Sequence, residues 1–233
     1  MSPIILSIEG NIGSGKSTIL KLLQENNHDN DILFLKEPVD KWSNVKDNSD
    51  ITILEHFYKD PSKYAFMFQI MAFATRMQIL KDTIAENPNI KVIICERSIL
   101  ADKEVFANML YNDGLIDQMG ITIYNTMANN YFKDYPLNGI IYIDADPDVC
   151  TNRIKNRNRD GEDNISVEYL QRCKEYHDNW LLKYRNYSSV PEIQDETSIL
   201  HIRTNENSSF NNSNTDISKV WLSQIQGYIC SFL

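Results

Sequence analysis

The chain has 233 residues, with 32 acidic against 23 basic side chains and a formal charge of −9. So acidic a chain does not suit a nucleic acid polymer, whose binding rests on Lys and Arg neutralising many phosphates, and no apolar run approaches the roughly 20 residues of a membrane span. Cys95, Cys150, Cys173 and Cys230 stand far apart without a CxxC pair, which predicts neither a disulfide framework nor a zinc site and points to a reducing, cytoplasmic setting.

The length suits one large α/β domain covering 1–233. The first apolar run, "IILSI" (4–8), reads as a strand. It starts so early that no targeting peptide is expected ahead of it. Next comes "GNIGSGKST" (10–18): Gly10, four residues, Gly15, Lys16 and Ser17. A helical pattern follows over 16–26. Strand, glycine loop and helix form the context of a phosphate-binding loop. Its glycines let backbone N–H groups turn inward, and the helix start attracts an anion. Lys16 adds charge against the outer phosphates, and the Ser17 hydroxyl suits a magnesium ion.

Further strands are expected at 32–37, 91–96, 139–145 and 198–204, and helices at 50–86, 101–131, 147–157, 166–185 and 216–232. The alternation predicts a parallel sheet covered on both faces, with ligands at the carboxyl ends of its strands. The Asn-rich stretch 205–215 reads as a mobile loop.

Several constellations lie where that architecture would gather them. Glu37, before Pro38, ends the second run and can accept a proton from an attacking hydroxyl; a solvated strand-end glutamate is the plain alternative. Helix 57–78 is largely core, yet Tyr58, Gln69 and Arg76 are polar residues along it. Arg is rarely buried unpaired, and Asp102 is a candidate partner. Together they can read the edge of a nucleobase stacked on aromatic rings. "CERS" ends the third strand with Glu96 and Arg97. Glu96 suits a magnesium ion and Arg97 a transferring phosphate; Asp144, ending the fourth strand, competes for the metal or caps the next helix. Arg153 and Arg157 share a helix face, with Arg159 just beyond, an arrangement that clamps phosphate oxygens or simply meets solvent.

In order, "GNIGSGKST", "EPVDKW", "FMFQ", "ERS", "RIKNRNR" and "EYL" make the chain resemble the deoxynucleoside kinases of the deoxycytidine and deoxyguanosine kinase type, from about residue 4 to 185. The resemblance implies a P-loop kinase fold with five parallel strands and an arginine-rich lid near 153–164. It also implies transfer of the γ-phosphate of ATP, with Mg²⁺, to the 5′-hydroxyl of a deoxynucleoside, in a homodimer. By position it makes Glu37 the general base, Arg97 and Lys16 the groups facing the transferred phosphate, and Ser17 and Glu96 the magnesium ligands, in preference to Asp144. Gly10, Asn11, Ile12, Gly13, Ser14, Gly15, Lys16, Ser17 and Thr18 would cradle ATP, with Arg153, Arg157 and Arg159 closing over it. Trp42, Phe68 and Phe106 would wall the base, Gln69 would read it, and Tyr58 with Glu162 would take the sugar 3′-hydroxyl. Ala72, Arg76 and Asp102 match the type that disfavours thymidine. Two features depart from the pattern: Arg203 stands where an acidic residue is expected, and the Asn-rich stretch follows it, which leaves the contacts to the donor base open.

Two other classes fit less well. A nucleoside monophosphate kinase resembling thymidylate kinase needs a cation for the acceptor's phosphate; the EP region offers Val39, Asp40 and Lys41. A GTPase-like switch needs an N-K-x-D stretch, which the chain lacks.

Overall fold

The computed structural model describes residues 2–159, 161–183, 197–206 and 217–233. Five strands form one sheet in the order β2-β3-β1-β4-β5, every neighbouring pair parallel. They are β1 (Ile4–Glu9), β2 (Ile32–Leu35), β3 (Val92–Glu96), β4 (Gly139–Asp144) and β5 (Ser198–Arg203).

The period of two along each strand divides the core. Ile5, Ile93 and Cys95 face one layer, with Phe73 and Leu80 of α4 (Pro61–Glu86) and Tyr124 of α7 (Gln118–Asp134). Leu6, Ile8, Ile94, Ile141 and Ile143 face the other, with Ile19 and Leu20 of α1 (Lys16–Glu25) and Trp221 and Ile225 of α10 (Ile217–Cys230). The three central strands are buried along nearly their whole length, as a sheet covered on both faces requires.

Helix 50–86 is two helices. Thr52 and Glu55 form a capping box that starts α3 (Ile53–Lys59), and the chain breaks at Asp60 before α4. Pro61 has no N–H to continue a helix but fits the first turn of a new one. Likewise 101–131 is divided. A continuous helical run comprises α5 (Ile99–Ala101), wider π-helical turns over Asp102–Ala107 and α6 (Asn108–Asn112). Gly114 then turns the chain at φ +73°, and Asp117 caps α7 by accepting from Gly120 N. Strand 32–37 stops at Leu35, which pairs with Cys95; beyond it Glu37 N is directed at the Glu96 carboxylate, and Pro38 has no N–H to give a ladder. That break frees Glu37. A short helix, α2 (Val39–Ser43), follows Pro38 without having been expected. The helix α8 (Pro147–Arg157) has its expected bounds, whereas 166–185 becomes α9 (Val167–Asp178) and a π-helical segment, Asn179–Lys183. Nearly all of the stretch expected as a mobile loop lies outside the described residues.

Candidate active site

The P-loop leaves β1 and is pressed onto its neighbours. A Cβ at Gly10 would lie 2.2 Å from the Ile143 carbonyl oxygen, and one at Gly13 would lie 2.7 Å from that of Cys150; both residues have positive φ. Glycine is therefore required at both. Asn11 donates from Nδ2 to Leu170 O (2.8 Å), and Arg153 donates to Ser14 O (2.9 Å) and Thr204 O (2.7 Å). These bonds tie the loop to α9, α8 and the end of β5. Lys16 is buried and donates to Asn11 O at 2.7 Å. Burial, helped by the Arg97 charge, lowers its ammonium to about 7 against the pull of Glu37 and Glu96.

Beside the loop, Ser17 Oγ donates to Glu96 Oε1. Glu37 reaches the same place from the end of β2. Its Oε1 accepts from Arg76 Nη2 at 3.1 Å and from Arg97 Nε at 3.2 Å. Burial pushes the Glu37 carboxyl up, but the charges of Arg97, Arg76 and Lys16 outweigh it and hold the group at about 2. Arg76 is fully engaged: it grips Asp102 through Nε (2.9 Å) and Nη2 (3.3 Å) and donates from Nη1 to Glu96 O (2.9 Å). The Arg97 guanidinium lies 4.7 Å from the Phe106 ring centroid, and among the described residues its Nη1 has no partner.

A cavity of about 610 Å³ runs from Ser14–Thr18 past this cluster into an aromatic slot. Trp42 and Phe68 meet edge to face at 5.3 Å, and Phe57 stacks on Phe68 at 4.8 Å. Trp42 is fixed by donating to Thr75 Oγ1 at 3.0 Å. Gln69, 2% exposed, lines the slot with its Oε1 unpaired among the described residues. Tyr58 lines it too; burial and the Glu162 charge raise its hydroxyl. Glu162 accepts from Arg157 and, at 3.2 Å, from Arg159.

The fold thus brings most of the sequence candidates to one cavity. Gly10 and Asn11 are not in its lining and act on the loop's shape. The three arginines all line it but do not act as one cluster: Arg153 holds backbone carbonyls, and Arg157 and Arg159 share Glu162. Asp144 stands outside the lining, engaged by Lys174 Nζ (2.7 Å) and His201 Nε2 (2.9 Å). Lys41 is exposed and outside it as well, so the extra cation that a monophosphate acceptor requires is not supplied from there. Leu54, Phe57, Tyr169, Thr204 and Trp221 also line the cavity. Leu54, Phe57, Tyr169 and Trp221 were not legible as lining because apolar and aromatic residues in helices look like core, and only their direction in space separates the two; Thr204, just after β5, has no pattern that marks it.

A family model described as deoxynucleoside kinase matches residues 6–226. The chain belongs to the deoxynucleoside kinase family. It is 36% identical over 192 residues to the probable deoxycytidine kinase of fowlpox virus, covering 81% of this chain and 77% of that one. It is 33% identical over 225 residues to human deoxycytidine kinase (86% and 84%) and 31% identical over 212 residues to the mitochondrial deoxyguanosine kinase of Xenopus laevis (81% and 79%).

As a deoxynucleoside kinase the chain is a phosphotransferase that uses a nucleotide donor in nucleotide salvage. Its two ends then have distinct chemistry. The P-loop end is lined by backbone N–H groups and cations, as a polyphosphate requires. The other end is an aromatic slot with the Gln69 amide oxygen unsatisfied among the described residues and a buried Arg–carboxylate pair, as a flat polar heterocycle requires. Arg203, unexpected for this family, pairs with Asp146 at 3.3 Å, and Asn205 donates to the same carboxylate. The arginine is therefore taken up in fastening the end of β5 to the start of α8.

Proposed function

We propose that the enzyme transfers the γ-phosphate of ATP to the 5′-hydroxyl of deoxycytidine, deoxyguanosine or deoxyadenosine in preference to thymidine. The observation that carries this reading is the position of Glu37: an ionised carboxylate between Arg76 and Arg97, at the junction of the P-loop and the aromatic slot. A nucleoside with its base in the slot directs its 5′-hydroxyl at that junction.

Glu37 orients the hydroxyl and takes its proton as the new P–O bond forms. With a carboxyl near 2 it is a weak base, which suits a loose transition state in which proton transfer comes late. Arg97, whose Nη1 has no partner among the described residues, faces the transferring phosphate, and Lys16 leaves the Asn11 carbonyl for the outer phosphates. Arg157 and Arg159 exchange Glu162 for phosphate oxygens as the lid closes, which leaves Glu162 and Tyr58 for the 3′-hydroxyl. Ser17 Oγ and the Glu96 carboxylate, already in contact, form an oxygen-only set that fits Mg²⁺. A Mg²⁺ ion held by these two groups would supply charge neutralisation at the donor phosphates. In the slot, Gln69 reads the base, and the Arg76–Asp102 pair fills the space that a 5-methyl group would need.

The exposed side chains Met67 of α4 and Met119 and Ile123 of α7 support a homodimer joined through these helices. The four cysteines, all free, support a reducing compartment, the cytoplasm. ADP release measured with Mg-ATP and each of the four deoxynucleosides tests the main reading. Turnover with one or more of the first three, and little with thymidine, is expected. Strong thymidine turnover would refute the account of the slot, and turnover with dTMP alone would refute the acceptor class.

A further inference from the structure

Glu9 is the last residue of β1, directly before the P-loop, and it is completely buried. It does not line the cavity, and the reaction described above gives it no part. Its Oε1 accepts from Ser98 N at 2.9 Å. Ser98 follows Arg97, whose backbone sits at φ +67°, a left-handed conformation that a non-glycine side chain rarely adopts and that persists only where its surroundings impose it. Two bonds from β1 reach this turn: Arg97 N donates to Ile8 O at 3.0 Å, and Ser98 N donates to Glu9. On its far side Ser98 Oγ accepts from Ala101 N and caps the helix that carries Asp102. Glu9 is thus the side-chain member of a clasp around a strained residue whose guanidinium must lie between Glu37 and Phe106.

We propose that Glu9 is a positioning residue for phosphoryl transfer, holding the Arg97–Ser98 turn so that the Arg97 guanidinium faces the transferring phosphate. The role lies in accepting the Ser98 N–H. Burial raises the Glu9 carboxyl while the Arg97 charge and the Ser98 bond oppose the rise; an amide oxygen in the same place can accept the same bond. A backbone turn released from its clasp displaces the side chain it carries, and about 1 Å of displacement at a reacting centre costs on the order of 10²-fold in rate.

The inference rests on the role proposed for Arg97, so the experiment separates the two. E9M keeps length and volume but lacks the acceptor; E9Q keeps the acceptor. Wild type, E9Q, E9M, R97A and E9M/R97A are compared for kcat, nucleoside KM and thermal midpoint, each assayed well below its own midpoint. E9Q is expected within about threefold of wild type. E9M is expected to lose about 10- to 100-fold in kcat with KM changed less than about threefold. E9M/R97A is expected to be no slower than R97A, because a displaced guanidinium that is absent cannot be displaced. Additive losses in the double variant, equal losses in E9Q and E9M, or an E9M that does not fold while E9Q does would each overturn the proposal. An R97A enzyme with wild-type kcat would instead refute the role of Arg97.

Discussion

Replacing Glu37 with Gln tests both the chemistry and the electrostatics of the site. Glutamine resembles the protonated acid, so E37Q imposes at every pH the state that the native protein opposes. The surroundings hold the carboxyl at about 2 instead of its ordinary 4.5, which corresponds to about 3 kcal/mol in favour of the ionised form at ~1.4 kcal/mol per factor of ten. At pH 7 E37Q should lose about that much stability, because Arg97 and Arg76 are left buried with less compensation. For a chain of this size that is a fall of roughly 6–12 °C in thermal midpoint. The sign with pH follows from the lowered value. The carboxylate's contribution is complete above 4.5 and disappears as pH falls toward 2, so the gap between wild type and variant stays constant from pH 7 to 5 and narrows below. Kinetically, loss of the proton acceptor should lower kcat about 10²- to 10⁴-fold with a much smaller change in nucleoside KM. Thermal unfolding followed by circular dichroism across pH, with steady-state kinetics well below the variant's midpoint, gives both readouts. An E37Q protein as stable as wild type at pH 7, or one losing equally in kcat and in substrate binding, would refute the reasoning.

Lys16, lowered to about 7 by burial and the Arg97 charge, should take up a proton when a polyphosphate arrives. Calorimetry of ADP binding at pH 8 in buffers of different ionisation enthalpy should show uptake approaching one proton, absent in K16M, with affinity falling as pH rises from 7.5 to 9; buffer-independent heats would contradict this. Removing Asp102 alone strips a buried arginine of its bidentate partner and should cost about 3–5 kcal/mol in urea unfolding. R76M/D102A should cost less than the sum of the single changes and raise thymidine turnover relative to deoxycytidine. Additive losses with unchanged selectivity would argue that the two residues neither couple nor shape the slot. Ala at Gly13 would place a Cβ 2.7 Å from the Cys150 carbonyl at a positive φ, and should weaken ADP binding at least tenfold by equilibrium titration, while a change under twofold would mean that the loop can relax.

What was legible in the sequence was local. Apolar runs of strand length between helical periods determined a parallel α/β sheet, and the spacing Gly10, Gly15, Lys16, Ser17 determined the phosphate loop, because hydrogen bonding and periodicity act between near neighbours in the chain. Break points such as Asp60 before Pro61 were also written there, though apolar periodicity running through 50–86 masked them. Three things depended on the tertiary fold. Glu96 and Asp144 end neighbouring runs alike, and only packing gave Asp144 to Lys174 and His201 and left Glu96 beside Ser17. Three arginines at helical spacing look equivalent, yet Arg153 secures backbone and the other two rest on Glu162. Glu9, between an apolar strand and a glycine, has no distinguishing pattern at all, and its bond to Ser98 joins residues 89 positions apart. Charge pairing and burial of this kind depend on distances of a few ångströms between distant segments, and those distances exist only after the chain has folded.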